Sequence, residues 1–366
     1  MSLNPNLQRL FEQGGQSPWL DNLARPLLRD GTIARLIDEG VRGITSNPTI
    51  FQHAIETTDQ YDEQYLGLRA QGITNETAYW ELVKDDVKEA LGLFAPLFEA
   101  SNGIDGVVSL EVSPKLAHDA KGTVEDALEL SEAINLPNLL IKVPATDEGI
   151  VAIKELISRG RSINVTLIFG LKRYQEVIEA YLSGLEAVEG DLSKITSVAS
   201  FFVSRVDTTI DPQLEVIGSD EAKALAGKAA VAQAVLAYQI FEQTFAGTRW
   251  EALAARGANL QRPLWASTSV KNPAYPSLMY VDKLVAAKTV DTIPDATLKE
   301  LKAEDEAIPS AISPEGYEEA TKTLDELAAV GIDVDKVNSD LEAEGVTKFR
   351  ASFDELLGAL EEKTRR

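Results

Sequence analysis

The feature that most limits what this chain can become is a repeated alternation. Short apolar runs of strand length are separated by longer amphipathic runs of helical period, the pattern of βα units and a parallel sheet. The strand-like runs cover residues 18–23, 43–47, 106–112, 139–143, 162–169, 195–202, 263–269 and 289–293. Eight such runs with helices between them is the count of a closed (β/α)8 TIM barrel. Outer helices are expected over 33–40, 125–134, 149–159, 171–185 and 276–285.

Two connections are longer than one helix requires. Residues 52–101 leave room for two or three helices, with 80–100 strongly periodic, and 207–257 for a long helix around 222–245. From Asp295 onward the chain is charged and strand-free. Residues 316–330 and 335–365 are expected as helices packed outside the barrel, with the basic KTRR end frayed and solvated. No repeat, low-complexity tract or linker interrupts the 366 residues. A single barrel domain over 1–366 is therefore expected, with 295–366 as a helical C-terminal extension.

Within the fourth run, N-L-L-I-K-V-P-A-T-D-E-G, a lysine interrupts residues that should be buried on both faces. Pro144 is expected to stop the strand, and Thr146 or Asp147 to cap a helix over 148–159. Burying an ammonium costs several kcal/mol unless it is paired or sheds its proton. A lysine held in such a place tends towards the neutral amine that a Schiff-base nucleophile needs. Taken alone, Lys142 could equally be a strand-end lysine reaching for solvent.

Side chains alternate faces along a strand, and polar residues interrupt the apolar rows in run after run. Asp21 breaks the first, Thr45 and Asn47 close the second, and Ser109 and Glu111 share a face of the third. Lys142, Asn164 with Thr166, Thr196 with Ser200, and Ser267 with Ser269 interrupt the fourth to the seventh. All are expected at the C-terminal ends of their strands, where a barrel of this kind builds its active site. A lysine, two carboxylates, amides and hydroxyls suit capture of a carbonyl followed by proton transfer. Glu111 and Asp21 are the acids of the ring, as proton carriers or as ion-pair partners of Lys142. Arg205 and Lys271 follow the sixth and seventh runs, where cations could hold a phosphate or join surface salt bridges.

Other chemistries lack their residues. There is no cysteine, which excludes disulfides, thiol catalysis and cysteine metal sites and fits a reducing compartment. His53 and His118 have no partner spacing for zinc or for a triad, and His118 in H-D-A is expected at the surface where a helix opens. No G-x-G-x-x-G or P-loop spacing implies a nucleotide. The net charge of −23, spread along the chain, disfavours nucleic acid and anionic lipid. No apolar run reaches the ~20 residues of a membrane span, and the first residues show no signal-peptide pattern, so a cytoplasmic location is expected.

Five motifs carry a family resemblance: G-I-T-S-N-P-T-I-F, L-L-I-K-V-P-A-T, I-N-V-T-L-I-F, S-V-A-S-F-F-V-S-R-V-D and L-W-A-S-T-S-V-K-N-P. Together, in order and between about Trp19 and Val290, they resemble the transaldolase family, in its longer bacterial form with a helical C-terminal extension. The resemblance implies a single barrel with no cofactor and no metal. It implies transfer of a dihydroxyacetone unit from sedoheptulose 7-phosphate or fructose 6-phosphate to an aldose phosphate, glyceraldehyde 3-phosphate or erythrose 4-phosphate, in the non-oxidative pentose phosphate pathway. Sugar phosphates are then the partners, and the oligomeric state is not implied. Lys142 falls on the family's Schiff-base lysine, Asp21 and Glu111 on its acid–base carboxylates, and Thr166 on the residue that helps hold a water for Glu111. Asn47, Asn164 and Ser200 match residues that hydrogen-bond the dihydroxyacetone part, with Phe202 beside it. Arg205, Ser269 and Lys271 match the phosphate site, although Lys271 stands where many members carry arginine, which loses bidentate geometry. Asp21 lies in W-L-D-N-L, a context unlike that of the shorter members.

Overall fold

A computed structural model describes residues 3–304 and 312–364. Its strands are β1 (Gln16–Leu20), β2 (Gly43–Thr45), β3 (Val107–Glu111), β4 (Leu139–Pro144), β5 (Ile163–Ile168), β6 (Ser197–Phe202), β7 (Gln261–Ala266) and β8 (Thr289–Ile293). They pair in parallel and in sequence order, and β8 returns to β1, closing an eight-stranded barrel. The alternation of the sequence therefore folds as the (β/α)8 barrel it implied. Every strand is buried along its length, because helices cover the outside and side chains fill the inside.

The two ends of the barrel interior are polar for different reasons. At the N-terminal end Asp105 is 1% exposed and accepts from Ser17 Oγ at 3.0 Å. Arg42 at 2.7 Å and Arg262 at 3.0 Å hold the same carboxylate. Burial pushes the Asp105 carboxyl up, but Arg262 and Arg42 outweigh it and hold the carboxyl below its ordinary value. This knot closes the barrel floor with its one carboxylate held between two guanidinium groups.

Strand ends differ from expectation by small steps that decide where side chains point. β1 begins and ends earlier, so Asp21 stands just past it, with its N–H donating to Ile293 O at 3.0 Å. β7 stops at Ala266, because Ser267 turns the chain with φ 58°. β4 runs on through Pro144, which pairs with Thr166 in register; a proline lacks only its donor, and Ala145 N–H resumes the ladder to Thr166 O at 2.8 Å. Thr196 is a correction. It precedes β6 and donates to Gly103 O at 3.3 Å, so it belongs to the N-terminal end of the barrel, not to the ring at the opposite mouth.

After β4 the chain turns into the helix Asp147–Ser158, whose Gly149 N–H donates to Thr146 Oγ1 at 2.9 Å. A Cβ on Gly149 would lie 1.9 Å from Pro144 O, so only glycine lets the strand turn this sharply into the helix. Residues 52–101 hold the end of Pro48–Thr57, then Asp62–Ala70 and the long Asn75–Ala100. The long helix of the second connection is Ala229–Thr244, preceded by Ser204–Ile217, which starts as soon as β6 ends. The stretch 276–285 is helical only over Met279–Lys283, and an N-terminal helix, Pro5–Glu12, was not foreseen.

The tail holds the helices Pro314–Ala329 and Val334–Lys363. The former packs on Ala229–Thr244. The latter crosses the C-terminal mouth of the barrel, against Pro48–Thr57 and the end of β5, rather than lying wholly outside. Its buried stripe is Leu341, Gly345, Phe349, Phe353, Leu356 and Leu360, at helical spacing. Lys363 is not frayed: its Nζ donates to Thr58 O at 2.9 Å and pairs with Asp62. The last two residues of KTRR lie outside the described residues.

Candidate active site

β3, β4 and β5 lie side by side with Glu111 opposite Lys142 and Lys142 opposite Asn164. Parallel register thus puts a carboxylate, an amine and an amide on adjacent strands, pointing into one barrel. The Lys142 Nζ lies 3.2 Å from Glu111 Oε2 and donates to Ser46 O at 3.1 Å. Lys142 and Glu111 are each 5% exposed. Burial pushes the Glu111 carboxyl above its ordinary value, with the Lys142 ammonium drawing it part of the way back.

Above Lys142 opens a cleft of about 420 Å³. Asp21, Asn47, Thr166, Ser200, Phe202, Arg205, Ser269 and Lys271 line it together with Lys142, so the structure gathers these sequence-derived residues around one space. Glu111 and Asn164 lie behind the lining. Glu111 borders a small void beneath Asn47 and Pro48. Asn164 is fully buried, donating from Nδ2 to Ser109 Oγ at 3.0 Å and accepting from Ser200 Oγ at 2.7 Å.

Each lining group is oriented by its neighbours. Asp21 is half-buried and accepts from Thr45 Oγ1 at 2.8 Å, while Thr45 shares a hydrogen bond of 2.6 Å with Thr292. Burial raises the Asp21 carboxyl, against the pull of Lys142 and the Thr45 hydrogen bond. Asn47 caps the helix Pro48–Thr57 by accepting Ile50 N–H at 3.0 Å, which commits its oxygen and leaves its NH2 to offer a ligand. Phe202 stacks on Phe169 with ring centres 5.1 Å apart and carries the Arg205 guanidinium 5.3 Å from its ring centre. Ser267 shares a 2.9 Å hydrogen bond with Ser204, tying the loop after β7 to the helix that begins with Ser204 and Arg205. On that loop the exposed Lys271 donates to Ser269 Oγ.

Two polar atoms around this cleft are buried with no hydrogen-bond partner among the described residues, Thr166 Oγ1 and Arg205 Nη1, while Glu111 Oε2 has only the Lys142 ammonium beside it. Buried polar atoms are nearly always satisfied, so such a group marks a place for a water or ligand. Thr166 stands on β5 beside the strand of Lys142, and Arg205 on the helix that follows β6. An amine with two acids near it, and two cations on the same cleft, can hold a polar carbonyl compound by its anionic tail. Among the described residues no group of three or more His, Asp or Glu side chains is placed to hold a metal ion. No helix among them is long and apolar enough to cross a membrane.

The polar residues singled out in the sequence end at the seventh strand, and Thr292 near the end of β8 continues the same ring. His53 lies exposed on the rim of the cleft, in the helix Pro48–Thr57. His118 is exposed as expected, 3.2 Å from Glu148. Phe349 was missed altogether. It enters the cleft from the C-terminal helix, and nothing in a helical apolar stripe says which surface it covers.

A family model described as transaldolase/fructose-6-phosphate aldolase matches residues 18–360. Among curated proteins, a transaldolase of Frankia alni is 48% identical over 350 residues, 94% of each chain. A transaldolase 2 of Streptomyces avermitilis is 49% identical over 364 residues, 98% of this chain and 97% of its own. A transaldolase of Mycolicibacterium smegmatis is 49% identical over 363 residues, with the same coverage.

Proposed function

Because the chain belongs to the transaldolase/fructose-6-phosphate aldolase family, we propose that it transfers a dihydroxyacetone unit between sugar phosphates through a Schiff base on Lys142. The observation that carries this reading is the buried Lys142 amine at the base of a polar cleft, 3.2 Å from Glu111. A purely structural ion pair needs neither the cleft above it nor a second acid beside it.

In this reading the Lys142 amine adds to the keto carbon of fructose 6-phosphate or sedoheptulose 7-phosphate, and loss of water gives an iminium. Glu111 carries the protons of that dehydration through a water that the unpartnered Thr166 hydroxyl helps hold. Asp21 then takes the proton of the hydroxyl on the next-but-one carbon. The intervening C–C bond breaks, its electron pair passes to the iminium as an enamine, and an aldose phosphate leaves. The enamine carbon attacks the aldehyde of glyceraldehyde 3-phosphate or erythrose 4-phosphate, Asp21 returns its proton, and water releases the new ketose from Lys142. The raised Asp21 and Glu111 carboxyls suit groups that must both give and take protons.

Binding is divided along the cleft. Asn47, Asn164 and Ser200 hold the hydroxyls of the three-carbon unit, beside Phe202, and the hydrogen bond from Ser200 to Asn164 leaves the Ser200 oxygen as an acceptor and the Asn164 NH2 as a donor. Arg205, Ser269 and Lys271 hold the phosphate, with the free Arg205 Nη1 as its strongest donor. The activity belongs to the non-oxidative pentose phosphate pathway in the cytoplasm, without a cofactor.

Borohydride reduction in the presence of fructose 6-phosphate, followed by peptide mass mapping, tests this directly. A reduced three-carbon adduct on Lys142 is expected. Folded protein at saturating substrate that yields no adduct overturns the mechanism and leaves a sugar-phosphate-binding barrel.

A further inference from the structure

The helix Val334–Lys363 places an aromatic ring over the proposed nucleophile. Phe349 is 5% exposed, lines the cleft, and its ring centre lies 5.7 Å from Lys142 Nζ. The placement is held from both sides. One turn earlier, a Cβ on Gly345 would lie 3.0 Å from the Leu167 side chain and 3.7 Å from Arg205 Nη1, so the helix backbone sits down on the end of β5. One turn later, Phe353 is fully buried, with its ring 5.4 Å from Tyr79 and 6.1 Å from Trp80. Outer pins complete the seat: Arg173 holds Glu342 at 3.0 Å, Ser352 meets Thr49 at 2.9 Å, and Gln52 donates to Glu355 at 2.9 Å.

We propose that Phe349 is a specificity-determining residue that shields the Lys142 enamine from bulk water and so favours transfer over release. The inference rests on the Schiff-base reading above. Release without an acceptor requires a proton delivered to the enamine carbon, then addition of water to the iminium carbon. Loss of the water's proton and cleavage of the C–N bond give free dihydroxyacetone and the lysine amine. In that reading a water held by Glu111 and Thr166 serves the making and breaking of the iminium, but protonation of the enamine carbon wastes the unit. An apolar ring at this position removes solvent from the enamine while its π-face accommodates the cation of the iminium. The residue therefore governs the partition between acceptor and water rather than the formation of the adduct.

The test measures free dihydroxyacetone released from fructose 6-phosphate alone against transfer in the presence of erythrose 4-phosphate. The wild type and Phe349→Ala, Phe349→Leu and Phe353→Leu are compared. Phe349→Ala is expected to raise the release-to-transfer ratio about tenfold, while still giving the borohydride adduct on Lys142. Phe349→Leu, which keeps an apolar cover, is expected to change the ratio much less. Phe353→Leu loosens the same helix without opening the cleft and is expected to leave the ratio unaltered. A ratio unchanged in Phe349→Ala, or raised equally in Phe353→Leu, overturns the role of Phe349. If Phe349→Ala fails to fold, Phe349→Gln, which keeps the length but brings a polar amide, must raise the ratio instead. Absence of the adduct in the wild type refutes the Schiff-base reading itself, and this inference with it.

Discussion

The Lys142 amine and the Glu111 carboxylate lie 3.2 Å apart on adjacent parallel strands, with side chains 6% and 5% exposed. A buried pair of this kind does little for net stability, because desolvating both charges offsets their attraction. Its value lies in what each partner does to the other. Lys142→Ala leaves Glu111 without a cation, and the carboxyl, already raised by burial, then folds in its protonated form. The variant should therefore stay folded by circular dichroism while transfer falls to below about 10⁻³ of wild type. Activity retained in the coupled assay would remove Lys142 from the mechanism.

The two phosphate-end cations should not be equal. Arg205 has a buried Nη1 with no hydrogen-bond partner among the described residues, whereas Lys271 is exposed and already donates to Ser269. Lys271→Ala should raise KM for fructose 6-phosphate by about tenfold, and Arg205→Ala by more, towards about a hundredfold. Neither should affect an unphosphorylated ketose to the same degree. Steady-state kinetics on fructose and fructose 6-phosphate separate the effects, and equal losses on both sugars would disprove the phosphate assignment.

Asp105, at the barrel floor, should matter for stability alone. Asp105→Asn leaves Arg262 and Arg42 facing a neutral amide in a site where Asp105 was 1% exposed. Unpairing buried charge costs about 3–5 kcal/mol. Denaturant unfolding should show that loss while kcat of the folded fraction is unchanged, since the floor lies at the opposite end of the barrel from the cleft. A loss of kcat with full stability would argue against this division of the barrel.

A buried acid outside the mechanism sets a pH dependence. Asp291 is fully buried on β8 and accepts from Thr268 at 2.9 Å. Burial moves its carboxyl from 3.8 to about 7, against the Thr268 hydrogen bond and with a further upward push from Asp21. A raised carboxyl means the folded state binds the proton more tightly. That stability is complete below the unfolded value of 3.8 and is lost as pH climbs through about 7. Each pKa unit between the two states corresponds to about 1.4 kcal/mol. Asp291→Asn, which cannot ionise, should gain in Tm relative to wild type between about pH 5 and about pH 8. A Tm difference that stays flat over that range would show that Asp291 does not titrate there.

Most of the barrel and its ring were legible in the primary structure, for a local reason. A parallel strand covered on both faces must be apolar, so Asp21, Glu111, Lys142, Asn164 and Thr166 stood out where they sit. The same rule misplaced Thr196, because it reads a face and not the position along the strand. Thr196 and Ser200 share a face four residues apart, and only the observed start of β6 at Ser197 showed that Thr196 occupies the other end.

The sequence by itself determined the fold class, the strands and the residues that break their apolar pattern, because periodicity and burial act over neighbouring residues. The tertiary structure alone decided which of those residues meet. Register set Glu111 against Lys142, the turn at Ser267 brought Ser269 and Lys271 to the mouth, and the C-terminal helix came down across the barrel to lay Phe349 over the amine. An amphipathic helix carries the length and width of its apolar stripe in its own sequence. The surface it buries that stripe against depends on shape complementarity with distant parts of the chain, here the room left by Gly345 above β5.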